Sequence, residues 1–444
     1  MKYEFQTDYR LERFVLRTQW KDLPEEIRKR AIVCGIDLMI ALLLGSRGNQ
    51  FRAGCTFAEK YYQHGDIPVV GSEKTFNLPG AVVAMSHASN SFDIDDGHNM
   101  IKGHPGTSFV AGVLSAALAK QCSYEEYLAA LAVTYEVTIR FGLAEQDHYG
   151  YLHSTGTYGA FGTAAGMGRL LGFTEKQLNN ALSVADFHAP LTPVMRSVQY
   201  PSMNKDGVPF GALVGMQAVL ETLCGTTGVG NILELPAYKK YIDSLGREYE
   251  IMNLYFKPFT CCRWAHQPIQ ACIDLKAQEG FAPEDIDHAV VHTFDSAAQL
   301  SKIIPHTTDE AQYNIAWPVA SALVFGDVGI AQVIESALDN EDVIRMMDRL
   351  QFTVDPEMDR QFPGKRLAWV EIFLKDGRCL KSKVYEADGE AKDHVDLEWM
   401  ERKFRKRTQG LLTEAAQDET LDLLEHHLDM PINAVISHLN SLVL

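Results

Sequence analysis

The chain has no uninterrupted apolar run of the roughly 18 residues that a bilayer-spanning helix requires. Its most apolar stretch, Ile36–Gly45, is the length of a core helix, so no membrane partner is expected. The N-terminus shows no basic segment followed by an apolar one, and no secretory leader is expected. Positive charge is also scarce. Lys and Arg total 41 against 58 Asp and Glu, a net charge of −17, whereas a nucleic-acid partner requires a basic face. The one dense basic run, Arg402–Arg407, lies on a helical pattern and reads as a solvated face. Eight cysteines are scattered without a paired C-x-x-C, which argues against a zinc site or a dithiol redox centre and fits a reduced, cytoplasmic protein. Internal repeats and low-complexity segments are lacking too. If the ligand is an anion, the negative overall charge requires the site to carry its own cations.

What is present is ordinary in bulk, with 46% hydrophobic and 22% charged residues over 444 positions. That length favours two domains. Up to about residue 225 the pattern is helix after helix. Pro24-Glu25-Glu26 opens one whose apolar residues follow a helical period from Ile27 to Leu42. Ala81–Ser91, Thr107–Lys120, Tyr124–Leu143, Gly156–Leu171, Glu175–Ala185 and Gly211–Leu223 are further helices, and the Gly/Ala content of Gly156–Leu171 allows close backbone approach. Gly225–Gly230 follows a helix and not a strand, which argues against a dinucleotide loop. After Lys257 the pattern changes. His288–Phe294 and Leu350–Val354 read as strands, and Leu367–Leu374 with Arg378–Tyr385 flank Asp376-Gly377, a strong hairpin signal. Helical patterning resumes near Leu397. The expected fold class is α+β: a large helical domain over residues 1–256, an inserted α/β lid over 257–396, and C-terminal helices over 397–444 that return to the helical domain.

The densest chemistry lies in Asp93-Ile94-Asp95-Asp96-Gly97-His98 and Gly103-His104-Pro105-Gly106, a junction between two apolar helices. Titratable groups crowded at a buried junction push their pKa values apart, as acid–base catalysis needs. Two bland readings compete. Asp95 and Asp96 could cap the next segment or form Asx-turns, and three carboxylates with a histidine could hold a hard cation. His153 precedes the Gly/Ala-rich helix, where the dipole disfavours its charged form; it is either a neutral base or a structural histidine. Lys205 stands in a loop before another helix, a position where a lysine is ordinarily solvated. Lys257, Cys261, Cys262, Arg263 and His266 cluster at the proposed domain junction, a favoured place for small-molecule sites.

The order and spacing of these motifs resemble the MmgE/PrpD family, which includes 2-methylcitrate dehydratase, cis-aconitate decarboxylase and iminodisuccinate epimerase. The resemblance runs through most of the chain. It covers the Asp-x-Asp-Asp segment at Asp93, His104-Pro105, His153 before Thr155-Gly156-Thr157-Tyr158-Gly159, Met203-x-Lys205, Lys257 with Cys262-Arg263 and His266, and Gln312-Tyr313. It implies a helical domain with an α/β lid, usually dimeric, and reactions that need neither metal nor organic cofactor. It further implies catalytic roles for Asp93, His104, His153, Lys205 and Lys257, and substrate contacts at Arg263, His266, Gly97 and Trp317. Three positions depart from the family pattern: Gly97 stands where Thr is common, and Trp317 and Asn314 stand where Tyr and Ser are common. Each departure removes a hydroxyl.

The family's reactions share one difficult step, the growth of negative charge on carbon next to a carboxylate. Lys205, Lys257 and Arg263 would clamp carboxylates and stabilise that charge. His153 and His104 would act as general base and acid in either order, Asp93 would orient one of the cationic groups, and the lid would exclude water. The leading expectation is a dehydratase of a small di- or tricarboxylic hydroxy acid. An epimerase or isomerase of a substituted succinate comes second and a decarboxylase third. A metal hydrolase and a non-catalytic binding protein are the readings from other classes.

Overall fold

Pro24 with Glu25 and Glu26 starts a helix, Glu25–Gly45, that is buried on all sides from Ala31 onward. A helix that is apolar all round belongs at the centre of a body. In the computed structural model, which describes residues 3–393 and 395–443, the helices Leu78–Ser89, Tyr124–His148 and Leu397–Thr408 pack around it. Tyr124–His148 is long and apolar enough to cross a membrane by length and composition, yet it is almost wholly buried inside the protein. The Gly/Ala-rich helix spans Thr155–Leu170 and packs between Pro105–Lys120 and Val208–Leu223. A Cβ at Gly156 would lie 2.3 Å from the Gly207 carbonyl oxygen, and one at Gly211 2.4 Å from that of Gly156. Only glycine lets these backbones meet.

The later half contains a mixed sheet. Ile286–Thr293 pairs in parallel with Leu350–Val354 and antiparallel with Leu367–Leu374. Leu367–Leu374 buries alternate residues, Ala368, Val370, Ile372 and Leu374, as period-2 geometry requires, and the helix His266–Glu279 packs on this strand. The strand expected over Arg378–Tyr385 is split into Cys379–Lys381 and Tyr385–Glu386. The cause is Ser382, whose hydroxyl accepts from Val370 N–H and donates to the Lys383 carbonyl. A side chain there replaces the ladder.

The segment between Leu78–Ser89 and Pro105–Lys120 is pinned from two directions. Gly97–His98 forms a two-stranded ladder with Leu254–Tyr255, with Gly97 opposite Tyr255. From the C-terminal helices, Lys403 bonds the Asp37 carboxylate and donates to the Ile94 carbonyl at 2.7 Å.

Candidate active site

The carboxylates and imidazole of the 93–104 segment meet as one buried chain. Asp93 adopts the left-handed conformation, φ +52, and its Oδ1 accepts from Lys257 Nζ at 2.8 Å. The same oxygen lies 3.5 Å from His104 Nε2. On its other side, His104 Nδ1 donates to the Asp96 carbonyl at 3.0 Å and lies 3.1 Å from Asp95 Oδ2. Asp95 is steadied by Asn90, which donates to Oδ1 at 2.8 Å. Asp96 faces elsewhere: it accepts from Gly106 N–H at 3.0 Å and from the Tyr135 hydroxyl. One of the bland readings therefore holds for Asp96, which caps the first turn of the Pro105 helix.

Each environment sets a protonation state. Burial and the Lys257 ammonium oppose charge on His104, but the Asp95 and Asp93 carboxylates outweigh them and raise its pKa. Burial pushes the Asp95 carboxyl up, yet His104 and Lys257 bring it down to about 2. Lys257 is held above its ordinary value, since the carboxylates of Asp93 and Asp95 outweigh burial. Asp96 is pushed up to about 7 by burial and by its neighbours Asp37 and Asp95. One segment thus holds an imidazole whose charged form is favoured, a carboxyl brought down to about 2 and a carboxyl pushed up to about 7.

Asp93 and His104 line a cavity of about 340 Å³ with Asp206, Tyr255, Cys262, Arg263, Tyr313, Lys102 and Arg366. Lys257 sits fully buried behind Asp93. Lys205 is not solvated: it pairs with Asp309 at 2.9 Å, donates to Gln312 Oε1 at 2.6 Å, and stands next to Asp206 of the cavity wall. Arg263 reaches the wall, but its guanidinium is bound to Glu390 and to the carbonyls of Ala387 and Asp388. His153 is not brought to the cluster. Its ring packs against Tyr149 and Tyr151 with both nitrogens unpartnered, and burial followed by the nearby His148 lowers its pKa. His266 lies off the cavity wall, with Nε2 directed at the Cys261 carbonyl and its ring against Phe259. Trp317 is fully buried and donates to the Gln332 carbonyl, so it too stands apart from the cavity. A larger cavity of about 720 Å³ near Glu145, His148 and Asp186 contains none of the expected residues.

Gly97 explains itself through its strand partner. A Cβ there would lie 2.2 Å from Tyr255 Cζ and 2.3 Å from its hydroxyl. The aromatic ring occupies the space of a side chain at 97 and brings a hydroxyl to the cavity wall. Tyr255 stands two residues before Lys257, and Asp206 beside Lys205; both were adjacent to residues the sequence had marked. Arg366 carried no such signal.

Asp93, Asp95 and His104 also place donor atoms within 4.8 Å of one another. They do not fit a resident cation. A metal there must displace the Lys257 ammonium from Asp93 and take the proton from a histidine whose neighbours hold it charged.

Helices enclosing a buried carboxylate–imidazole–ammonium cluster, with a mixed sheet in the later half, define a mainly helical α+β protein built around internal acid–base groups. The model for the MmgE/PrpD N-terminal domain matches residues 9–245, and that for the MmgE/PrpD C-terminal domain matches residues 259–427. The chain belongs to the MmgE/PrpD family. Among curated relatives, a cis-aconitate decarboxylase-like protein of Aspergillus oryzae is 24% identical, over 95% of this chain and 94% of its own length. The cis-aconitate decarboxylase of Homo sapiens is 20% identical over 94% and 91%, and that of Aspergillus terreus 24% over 91% and 89%.

Proposed function

We propose that this protein is a cofactor-independent lyase of a small polycarboxylate, and that it works by decarboxylation. The observation that carries this reading is the placement of His104 on the cavity wall between Asp93 and Asp95, with Lys257 behind, where the two carboxylates favour its protonated form. Decarboxylation needs no base to start it. The bond from the α-carbon to the departing carboxylate breaks, carbon dioxide leaves, and the electron pair stays on carbon, delocalised into a neighbouring group. The nearby cations stabilise that pair, and the His104 imidazolium donates the proton that forms the new C–H bond. The relatives named as cis-aconitate decarboxylases support this choice over dehydration, the leading expectation from sequence. Dehydration or epimerisation remains the second reading because His153 is neutral and unpartnered, directly after Leu152 of the cavity wall; a modest rotation of that segment would supply the base.

The test is proton NMR in deuterium oxide with cis-aconitate, 2-methylcitrate, citrate and hydroxy- and amino-succinates. The expected result is consumption of an unsaturated tricarboxylate, release of carbon dioxide, and one deuterium in the dicarboxylic product. New alkene signals from a hydroxy acid would transfer the assignment to dehydration, and deuterium exchange without elimination to epimerisation. With the protein folded, silence across the panel refutes the lyase reading for these acids.

The same proposal places the protein in a reducing compartment as a homodimer. All eight cysteines are free. Phe187, Tyr200, Phe210, Leu223 and Val229 are exposed large apolar residues on or next to the helices Glu175–His188, Val194–Gln199 and Val208–Leu223, and such a surface suits a second copy of the chain.

A further inference from the structure

The cations that the sequence marked are already neutralised inside the protein. Lys257 has Asp93, Lys205 has Asp309, Arg263 has Glu390 and His104 has Asp95. Two cations of the same cavity are not. Among the described residues, Lys102 Nζ makes no hydrogen bond or ion pair. Arg366 is 7% exposed and spends Nη1 on the Asn99 amide oxygen; its Nε is buried without a partner. The glutamate near it, Glu390, is taken by Arg263 and Asn99. Burial first, and then Arg366 itself, bring Lys102 down to about 8. Glu390 attracts Arg366 without pairing with it, and the two cations repel each other until a further anion joins them.

Their positions are held by the fold. Lys102 adopts φ +55, and its N–H donates to the His98 carbonyl at 3.1 Å inside the loop that the Gly97–His98 ladder pins. A lysine is kept in that sparsely populated conformation only by surrounding structure. The Arg366 guanidinium carbon lies 5.9 Å from the centroid of the Tyr255 ring, the ring that covers Gly97.

We propose that Lys102 and Arg366 form a carboxylate-anchoring subsite, which holds a carboxylate of the substrate away from the carbon that His104 protonates. The Nε edge of a guanidinium accepts a carboxylate in bidentate fashion, and a lysine beside it adds a point charge. The subsite deepens the function proposed above and rests on it. It makes the preferred substrate a di- or tricarboxylate, because one carboxylate is held here while the carboxylate that departs lies on the carbon facing His104.

The probe is tricarballylate, a saturated tricarboxylate with no reactive bond, titrated calorimetrically into the full-length protein and into Lys102→Gln, Lys102→Arg and Arg366→Gln. Wild type is expected to bind. Loss of one charged hydrogen-bonding partner should weaken binding about 10- to 100-fold in Lys102→Gln and in Arg366→Gln, while Lys102→Arg retains it. Lys102 is partly exposed, so Lys102→Gln should fold and melt as wild type even if Arg366→Gln does not. Absence of binding by wild type at about 10 mM, far weaker than charged anchoring predicts, overturns the subsite. So does a loss below about threefold in folded Lys102→Gln. Turnover of the acid panel, followed in parallel, separates this proposal from the one it rests on. Charge-dependent tricarballylate binding by a protein that turns over no polycarboxylate keeps the subsite and sinks the lyase reading. Turnover with tricarballylate binding unchanged in Lys102→Gln does the reverse.

Discussion

Asp95→Asn tests whether His104 is held charged by its neighbours. The substitution keeps the shape and the acceptor that Asn90 uses, and removes one negative charge 3.1 Å from Nδ1. Burial pushes the Asp95 carboxyl up, but His104 first and then Lys257, with hydrogen bonds from His104 and Asn90, bring it down to about 2. Coupling is reciprocal, so the His104 pKa should fall in the variant. The sign follows directly. In wild type the folded pKa of His104 lies above its ordinary 6.5; its charge stabilises the fold fully below 6.5 and the contribution is lost as pH rises through the folded value. Asp95 acts oppositely: its contribution is present above 3.8 and disappears as pH falls through about 2. The assay is an NMR titration of labelled histidine rings, with His104 identified by its absence in His104→Gln. The alkaline limb of kcat/KM should move acidward with the ring titration. A folded Asp95→Asn whose His104 midpoint stays within about 0.3 unit of wild type, or rises, refutes the account, since that leaves under ~0.4 kcal/mol for the coupling.

Gly97→Thr should lower kcat/KM at least ~10-fold, because the new Cβ overlaps the Tyr255 ring and the clash must be relieved by moving a wall of the site; adding Tyr255→Ala should recover part of the loss, and no recovery would disprove the steric account. Lys403→Met leaves the fully buried Asp37 carboxylate without its ammonium and should cost about 3–5 kcal/mol in urea unfolding, with most of it restored by adding Asp37→Leu. Phe187→Glu together with Val229→Glu should convert a dimer to a monomer in light scattering; a wild type that is already monomeric at micromolar concentration refutes the dimer.

The helical body was legible because its periods are long and uniform, and because Gly156 and Gly211 announce close backbone contacts that glycine alone permits. The cluster at Asp93, Asp95 and His104 was legible because it is local, since three titratable groups within one loop cannot avoid each other. What the sequence concealed is nonlocal. Lys205 reads as an exposed loop lysine, and nothing nearby in the chain shows that Asp309 and Gln312 will cover it. Arg366 stands just before a strand with nothing local to mark it, and Lys403 belongs to the basic run 402–407 that reads as a solvated face, although the structure buries Lys403 and Arg407 on Asp37 and Asp327; Asn99 and Asp37, the partners of Arg366 and Lys403, are hundreds of residues upstream. Gly97 read as a lost hydroxyl, when its strand partner Tyr255 brings one. His266 and Trp317 had the residue types of a site, but burial away from the cavity set His266 Nε2 on the Cys261 carbonyl and the Trp317 indole N–H on that of Gln332.

The contacts that were hard to read explain why the site forms only in the whole chain. Lys257 reaches Asp93, Tyr255 pairs with Gly97, Gln312 donates to the Ser91 carbonyl at 3.1 Å, Arg366 holds Asn99, and Lys403 holds Ile94. Four segments of the later half, at 255–257, 312, 366 and 403, each touch the 91–99 stretch. The acid–base loop is therefore a hub whose geometry is set by the docking of everything after residue 250. Unlike Lys403→Met, which strands the Asp37 charge, a change that loosens the Gln312 or Arg366 contact should lower kcat before it lowers stability, because each is a small part of a large buried interface but fixes the position of one group. Arg366→Gln and Lys403→Met sit at opposite ends of that stretch, and for that reason their effects on turnover should couple more strongly than their separation in sequence suggests. Additive losses in the double variant would show that the loop is rigid on its own and that the later half merely covers it.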